Sequence, residues 1–484
     1  MGKKSVILLC LLCFGILSPF YAQILKVDES GHYLIDKNGK LVFLNGDTAW
    51  NLAIKVNRED VIHYLDIRKV QQFNTIALTA LFGEEIVNVY DDEPFEKKDG
   101  KPDPTKTLTT KGNNPADAEQ YDYWDHLNFV LDEIIKREMI PVLVVCFNSW
   151  IVGSGNGGER DKIIFNQENA YLYGKWIGKR YRKFDNLIWM LGGDRSAVYG
   201  PFDYRAVYSA MAEGIADGIK NQDGFDGKAD YSGILMSFHP QKRHPNSSAW
   251  FHYQPWLSFN SLQACPRDQV ELIRFDYTLF PQKPTWLFEG RYEHYTFDYK
   301  DWPMRFQAYL TVLAGGFGNV YGHEKIWHFS DGWKSYLHEP GMEDMQHMYR
   351  LFTKHLGQYS LKDLVPDQNI LANINYGDVS DHCWRGETRL APVSDRIQAK
   401  ISKDKKFAII YTSNGRDILL KKQTFKGELK GAYWYNPRNG FWAVGETDQI
   451  EKEPDIKIWP QRNTFDPPGI AAIDNDWVLL VEMQ

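Results

Sequence analysis

Two stretches of the chain run from uncharged residues into a carboxylate set beside glycine and arginine: Asn186-Leu-Ile-Trp-Met-Leu-Gly-Gly-Asp194-Arg195 and Thr285-Trp-Leu-Phe-Glu289-Gly-Arg291. Each apolar run is too short for a helix and fits a strand covered on both faces. Gly192 and Gly193 permit backbone angles or a close approach that a side chain would block, so Asp194 can be fixed on a rim. Two such acids meeting in one cleft are the equipment for breaking a glycosidic bond. One protonates the leaving oxygen, and the other attacks the anomeric carbon or activates water. In that chemistry Asp194 is the acid/base and Glu289 the nucleophile. A carboxyl separation of about 5 to 5.5 Å predicts retention, and about 6.5 to 9.5 Å inversion. The simpler reading of Asp194 alone is a helix cap. Arg195 is a liability for the catalytic reading, since a neighbouring cation favours the ionised form of an acid. Alternation along a strand would turn Arg195 away. Glu293 and Glu324 are the reserve nucleophiles.

Something must bring residues 95 positions apart together, and the pattern of elements supplies it. A hairpin over Gly31 to Leu44, turning at Asn38-Gly39, leads into Asn45-Gly-Asp47-Thr-Ala-Trp50. From there strands and helices alternate. Strands are expected from Leu41, at Asn74 to Leu81, Val142 to Phe147, Leu187 to Leu191, Ile234 to His239, Phe259 to Ala264, Thr285 to Glu289 and Gly318 to Glu324. Helical spacing or capping signals separate them, most clearly in Trp124, Leu127, Leu131, Ile134 and Ile135. Eight alternations predict a closed (β/α)8 barrel, an α/β fold of the TIM type, in which the carboxyl ends of all strands meet at one mouth. An open doubly wound sheet is the competitor, and it lacks its glycine fingerprint after the first strand. Gly153-Ser-Gly-Asn-Gly-Gly158 follows the third strand and reads as a rim loop. The polar segment Asp91 to Ala118 reads as a long loop, a wall over the site or surface decoration.

Beyond Ser360 the pattern becomes short β runs, with Ser413-Asn-Gly415 and Asn436-Pro-Arg-Asn-Gly440 at turns. They predict a small antiparallel β-sandwich. The expected organisation is a signal peptide over 1–22, a catalytic barrel with its N-terminal hairpin over 23–358, and the β-sandwich over 359–484. Lys3 and Lys4, the apolar run Val6 to Leu17 and Ser18-Pro19-Phe20-Tyr21-Ala22 are the three regions of a secretory signal. The expected product is exported, secreted or periplasmic, with no membrane insertion. Cys146, Cys265 and Cys383 remain after cleavage, odd in number and widely spaced, and read as small buried residues.

A net charge of -7 without clustered Lys or Arg argues against nucleic acid as a partner. The 16 Trp, 27 Tyr and 27 Phe suit an oligosaccharide or a polysaccharide side chain, although cores also use them. Candidate substrate contacts at strand ends are Asp47, Trp50, Asn148, Trp150, His239, Tyr292, His323, Glu324 and Trp327. His323-Glu324 and His328 resemble a zinc helix motif, but the histidines are five apart rather than four, so neither a metal nor another cofactor is expected. No Gly-x-Ser-x-Gly elbow occurs.

Leu44-Asn-Gly-Asp-Thr-Ala-Trp50, Trp189-Met-Leu-Gly-Gly-Asp-Arg195, Glu289-Gly-Arg-Tyr-Glu293 and Trp434-Tyr-Asn-Pro-Arg-Asn-Gly440 resemble the apiosidase-like glycoside hydrolases of family 140. The resemblance spans nearly all of the chain after residue 22, including a C-terminal domain of the type described as collagen-binding. It implies a retaining, exo-acting enzyme releasing apiose from side chains of the pectin rhamnogalacturonan II, with Asp194 as acid/base and Glu289 as nucleophile. It further implies that Asp47 and Trp50 help form the subsite. Gly290-Arg291, standing where the family has a proline-containing stretch, and the Asp91 to Ala118 insertion depart from the pattern. The alternatives are a glycosidase for another furanosyl or pyranosyl sugar on the same barrel, and a carbohydrate-binding protein without catalysis.

Overall fold

The computed structural model describes residues 25–83, 87–147, 149–153, 162–241, 246–264, 266–295, 300–373, 396–445 and 447–484. Eight strands form one parallel sheet: β1 (Leu44–Thr48), β2 (Thr75–Thr79), β3 (Ile140–Val144), β4 (Ile188–Gly192), β5 (Met236–His239), β6 (Asn260–Gln263), β7 (Thr285–Glu289) and β8 (Gly318–Tyr321). Their order is β5-β4-β3-β2-β1-β8-β7-β6, so the chain winds a barrel whose seam falls between β5 and β6. Serines stitch that seam. Ser258 N–H donates to Met236 O at 2.8 Å, Ser237 Oγ to Phe259 O at 2.6 Å and Ser261 Oγ to Phe238 O at 2.5 Å.

Among the described residues, seven helices of three turns or more cover the outside: α1 (Arg58–Val70), α2 (Tyr123–Lys136), α3 (Gln167–Tyr181), α4 (Arg205–Lys220), α5 (Pro266–Thr278), α6 (Asp301–Ala314) and α7 (Pro340–Lys354). Their starts are written locally. Asn57 caps α1 by accepting from Asp60 N–H, Asp122 caps α2, and Asn166 with Asn169 forms a capping box on α3. The close packing of α3 on α4 is set by reciprocal glycines. A Cβ on Gly174 or Gly178 would strike the backbone of α4, and one on Gly214 or Gly218 the backbone of α3.

The segment Asp91 to Ala118, expected as a loop, contains an antiparallel hairpin of Phe95–Lys98 with Lys101–Thr107. Asp99 and Gly100 turn it with positive φ, and Phe95 anchors it against Trp124, Trp150 and Tyr173. The hairpin thus braces the helical layer.

The C-terminal sheet has seven antiparallel strands: β9 (Leu364–Pro366), β10 (Ile397–Ser402), β11 (Phe407–Thr412), β12 (Leu429–Tyr435), β13 (Trp442–Val444), β14 (Thr447–Gln449) and β15 (Trp477–Met483). They run in the order β9-β10-β11-β15-β12-β13-β14. Period-two alternation buries both faces. Phe407, Ile409, Tyr411, Val478 and Leu480 join the barrel's core, while Ala408, Ile410, Leu479 and Val481 face a second core. That core is closed by the ribbon Ile418–Leu419 with Thr464–Phe465. This sheet is therefore a continuation of the barrel's packing.

Buried charges tie the two parts together. Arg305 of α6 donates to Asp301 at 2.6 Å, to Asp344 at 2.7 Å and to Asp476 at 3.1 Å, and also pairs with Asp474. Burial pushes the Asp344 carboxyl up to about 8 although Arg305 opposes it. Lys400 is the opposite case. It is fully buried, with Nζ 2.9 Å from the Tyr33 hydroxyl, and burial pushes it down from 10.5 to about 7. Between pH 7 and 10.5 the unfolded chain holds this proton and the folded chain does not. Stability owed to Lys400 therefore rises with pH across that window, by at most about 5 kcal/mol. Urea denaturation at pH 7 and 9 is expected to show the rise in the wild type and a flatter dependence in Lys400→Met. Equal slopes would contradict it.

Candidate active site

The chain leaves β4 through three consecutive residues with positive φ: Gly192 at 81°, Gly193 at 144° and Asp194 at 55°. A Cβ on Gly192 would lie 2.6 Å from His239 O, and one on Gly193 2.7 Å from the Phe147 ring, so both positions exclude side chains. Strand alternation has lapsed by Asp194, and Arg195 does not turn away as expected. Its Nη1 donates to Asp194 O at 2.7 Å and lies 3.3 Å from Asp194 Oδ2. The Asp194 side chain is 38% exposed, so this pair sits in water at the mouth.

Glu289 is the last residue of β7 and is 14% exposed. His239, the last residue of β5, links the two acid-bearing segments. Its carbonyl accepts from Gly193 N–H at 3.1 Å, and its Nε2 lies 2.7 Å from Glu289 Oε2. His239 is wholly buried, between Trp50, Phe288 and Phe147. A second line of support runs from Trp50 Nε1, which donates to Tyr292 Oη at 2.7 Å. The Tyr292 hydroxyl in turn faces Glu289. Burial first, and then the charge of Glu289, hold this phenol well above its ordinary value, so it stays a donor. The acid at β7 is thus set by groups from the ends of β1 and β5.

Partly exposed aromatics wall the mouth. Phe82 and Phe147 follow β2 and β3 with ring centroids 4.7 Å apart, and Trp327 lies 6.0 Å from Phe82 and 6.4 Å from Tyr292. Phe82 and Phe147, each three residues beyond its strand, went unnoticed in the sequence, which carries no local signal for them. Glu324 is half-buried beside them, and Trp327 Nε1 lies 3.3 Å from its Oε2. Burial raises its carboxyl.

Other expected contacts lie elsewhere. Asp47 does not reach the mouth, because β1 continues through Thr48 and alternation turns Asp47 outward toward α1. There it is fully buried, 2.5 Å from Arg68 Nε and 2.6 Å from the Tyr64 hydroxyl. Burial pushes its carboxyl up against the pull of Arg68. Removing one partner of a buried pair strands the other charge. Arg68→Met is expected to lower the unfolding free energy by about 3 to 5 kcal/mol, measured by urea denaturation; a loss below about 1 kcal/mol would contradict this. Trp50 is buried behind Tyr292 and offers no open platform. Trp150 is buried against Phe95. His323 is buried between His294 and Tyr336, and burial pushes it down to about 3. Asn148 lies outside the described residues, as do residues 1–24, Cys265, Cys383 and most of the Gly153 to Gly158 loop. Cys146 is a buried free thiol.

Glu293, a reserve nucleophile, is also withdrawn. Its oxygens accept from the Tyr321 hydroxyl and from Gly341 N–H, and burial pushes it up to about 7. Among the described residues, Glu293, His294 and Glu339 place three potential metal-ligating atoms within 4.8 Å of one another. His294 Nε2 lies 3.1 Å from Glu339 Oε2, so hydrogen bonds already account for the cluster.

Comparison with known proteins agrees with this architecture. The family model for "Apiosidase-like, catalytic domain" matches residues 28–357, and that for "Putative collagen-binding domain of a collagenase" matches residues 365–482. A search of the curated proteins found no match. Among solved structures, a glycoside hydrolase family 5 protein from Bacteroides vulgatus ATCC 8482 is 25% identical, covers 96% of this chain and 94% of its own, and superposes with a TM-score of 0.73. Another, described as a glycoside hydrolase, is also 25% identical, with 96% and 98% coverage and a TM-score of 0.73. With the catalytic-domain model matched over more than half of the chain and an eight-stranded parallel barrel that superposes on a glycoside hydrolase, the chain belongs to the apiosidase-like family of glycoside hydrolases.

Proposed function

We propose that the enzyme is an exported, retaining exo-glycosidase that releases a terminal apiose from side chains of rhamnogalacturonan II. Glu289 attacks the anomeric carbon while Asp194 gives its proton to the departing glycosidic oxygen, leaving a glycosyl ester on Glu289. Asp194, now a carboxylate, takes a proton from water as the water oxygen attacks the same carbon and frees Glu289. The observation carrying this reading is the setting of Glu289. Its Oε2 meets His239 Nε2 at 2.7 Å and the Tyr292 hydroxyl faces it, so the carboxylate is held for attack at the mouth that also receives Asp194. The sugar follows from the family resemblance, and export from the charged and apolar pattern of the first 22 residues.

Incubation with rhamnogalacturonan II side-chain fragments, followed by a monosaccharide screen and NMR of the first anomer formed, tests this reading. Apiose released with retained configuration is expected. Another terminal sugar with retention would correct the substrate, and inversion would overturn the mechanism.

A further inference from the structure

A second recess opens on the mouth face, separated from the acids by Trp327. It has a volume of about 540 Å³, within the range of small-molecule sites. Its walls are the end of the short helix Leu52–Lys55 after β1, the segment Val87 to Val89 after β2, and His328 to Asp331 after β8. These strands are neighbours in the barrel, in the order β2-β1-β8. All three walls therefore rise from carboxyl ends of strands, on the face where barrel sites lie. Trp327 and His328 stand with ring centroids 4.6 Å apart, so adjacent rings line the catalytic mouth and the recess. The two spaces share a wall.

The lining has the mixed character of a sugar's own surface. Val87 and Val89, 41% and 40% exposed, offer apolar area to the C–H face of a ring. Lys55 Nζ stands 3.3 Å from His328 Nδ1, and Asp331 lies on the same cleft. An ammonium donates to hydroxyl oxygens and a carboxylate accepts from hydroxyls, so the two signs together suit a neutral polyol. A uronate would meet Asp331 as a like charge and Lys55 as an opposite one, so the two offset and a negative sugar gains nothing over a neutral one.

We propose that this cleft is an outer subsite that holds an uncharged sugar residue of the chain bearing the cleaved unit. The proposal rests on the glycosidase reading above and extends it to the length of substrate recognised. It makes the enzyme favour oligosaccharides over simple glycosides.

The test compares Lys55→Ala and Val89→Trp, the second filling the cleft without removing a polar group. For each full-length enzyme, kcat/KM is measured on an aryl apioside and on a neutral side-chain oligosaccharide ending in apiose. The ratio of oligosaccharide to aryl glycoside is expected to fall at least tenfold in both variants. A ratio within twofold of wild type in both overturns the subsite. If wild type turns over neither compound, the sugar assignment has failed, and the cleft is read by binding. Neutral pectic oligosaccharides are then titrated into Glu289→Gln with and without Lys55→Ala. A tenfold weaker Kd on adding Lys55→Ala supports the site. An unchanged Kd, or tighter binding of uronate-bearing oligosaccharides than of neutral ones, overturns it.

Discussion

Glu289→Ala is expected to lower turnover by at least about 10⁴-fold while leaving the fold intact. A covalent nucleophile cannot be replaced by water held at the same place, and the loss of such groups is of this order or larger. The side chain is at the end of β7 and 14% exposed, so its removal opens space at the mouth without emptying the core. That space is bordered by His239 Nε2 and the Tyr292 hydroxyl, both donors, which suits a small anion. Azide is therefore expected to restore turnover and to yield a glycosyl azide of inverted configuration. Turnover within tenfold of wild type would remove Glu289 from the reaction.

Asp194→Ala has a different expected signature. Without its acid the enzyme is expected to lose about 10² to 10⁴-fold on substrates whose leaving group needs a proton, and far less on a nitrophenyl glycoside. Azide then accelerates the second step and gives a product of retained configuration, because it attacks from the face Asp194 serves. The geometry makes Asp194 sensitive to its surroundings. It is held at a positive φ beyond two glycines, and Arg195 reaches both its carbonyl and its carboxyl. Equal losses on both kinds of leaving group would show that Asp194 positions substrate instead of moving a proton.

The barrel was legible because strand and helix periods alternate along most of its length, and the placing of Asp194 and Glu289 at strand ends was legible because each follows an apolar run. What escaped the sequence depended on which way a side chain faces. Asp47 reads like the other strand-end acids, yet β1 runs one residue past it and turns it to Arg68. Trp50 and Trp150 are aromatic and follow strands, as a sugar platform would, but packing against Tyr292 and Phe95 consumes them. Phe82 and Phe147 line the mouth, and nothing local separates them from core phenylalanines. The turn at Asp99-Gly100 was hidden in a polar segment whose strands carry lysines, because that hairpin lies on the surface and its strands bury only Phe95 and Pro104. The C-terminal sheet was recognised in part, and its packing of one face on the barrel is a tertiary fact, visible in the alternation only once both cores are known.

The covalent step is the centre of the account, and trapping it is the most direct test. The enzyme is quenched with a 2-deoxy-2-fluoro glycoside of the released sugar carrying a good leaving group, and the adduct is mapped by peptide mass spectrometry. One sugar is expected per chain, esterified to Glu289. An adduct on another carboxylate, or turnover with inversion and no adduct, would contradict it.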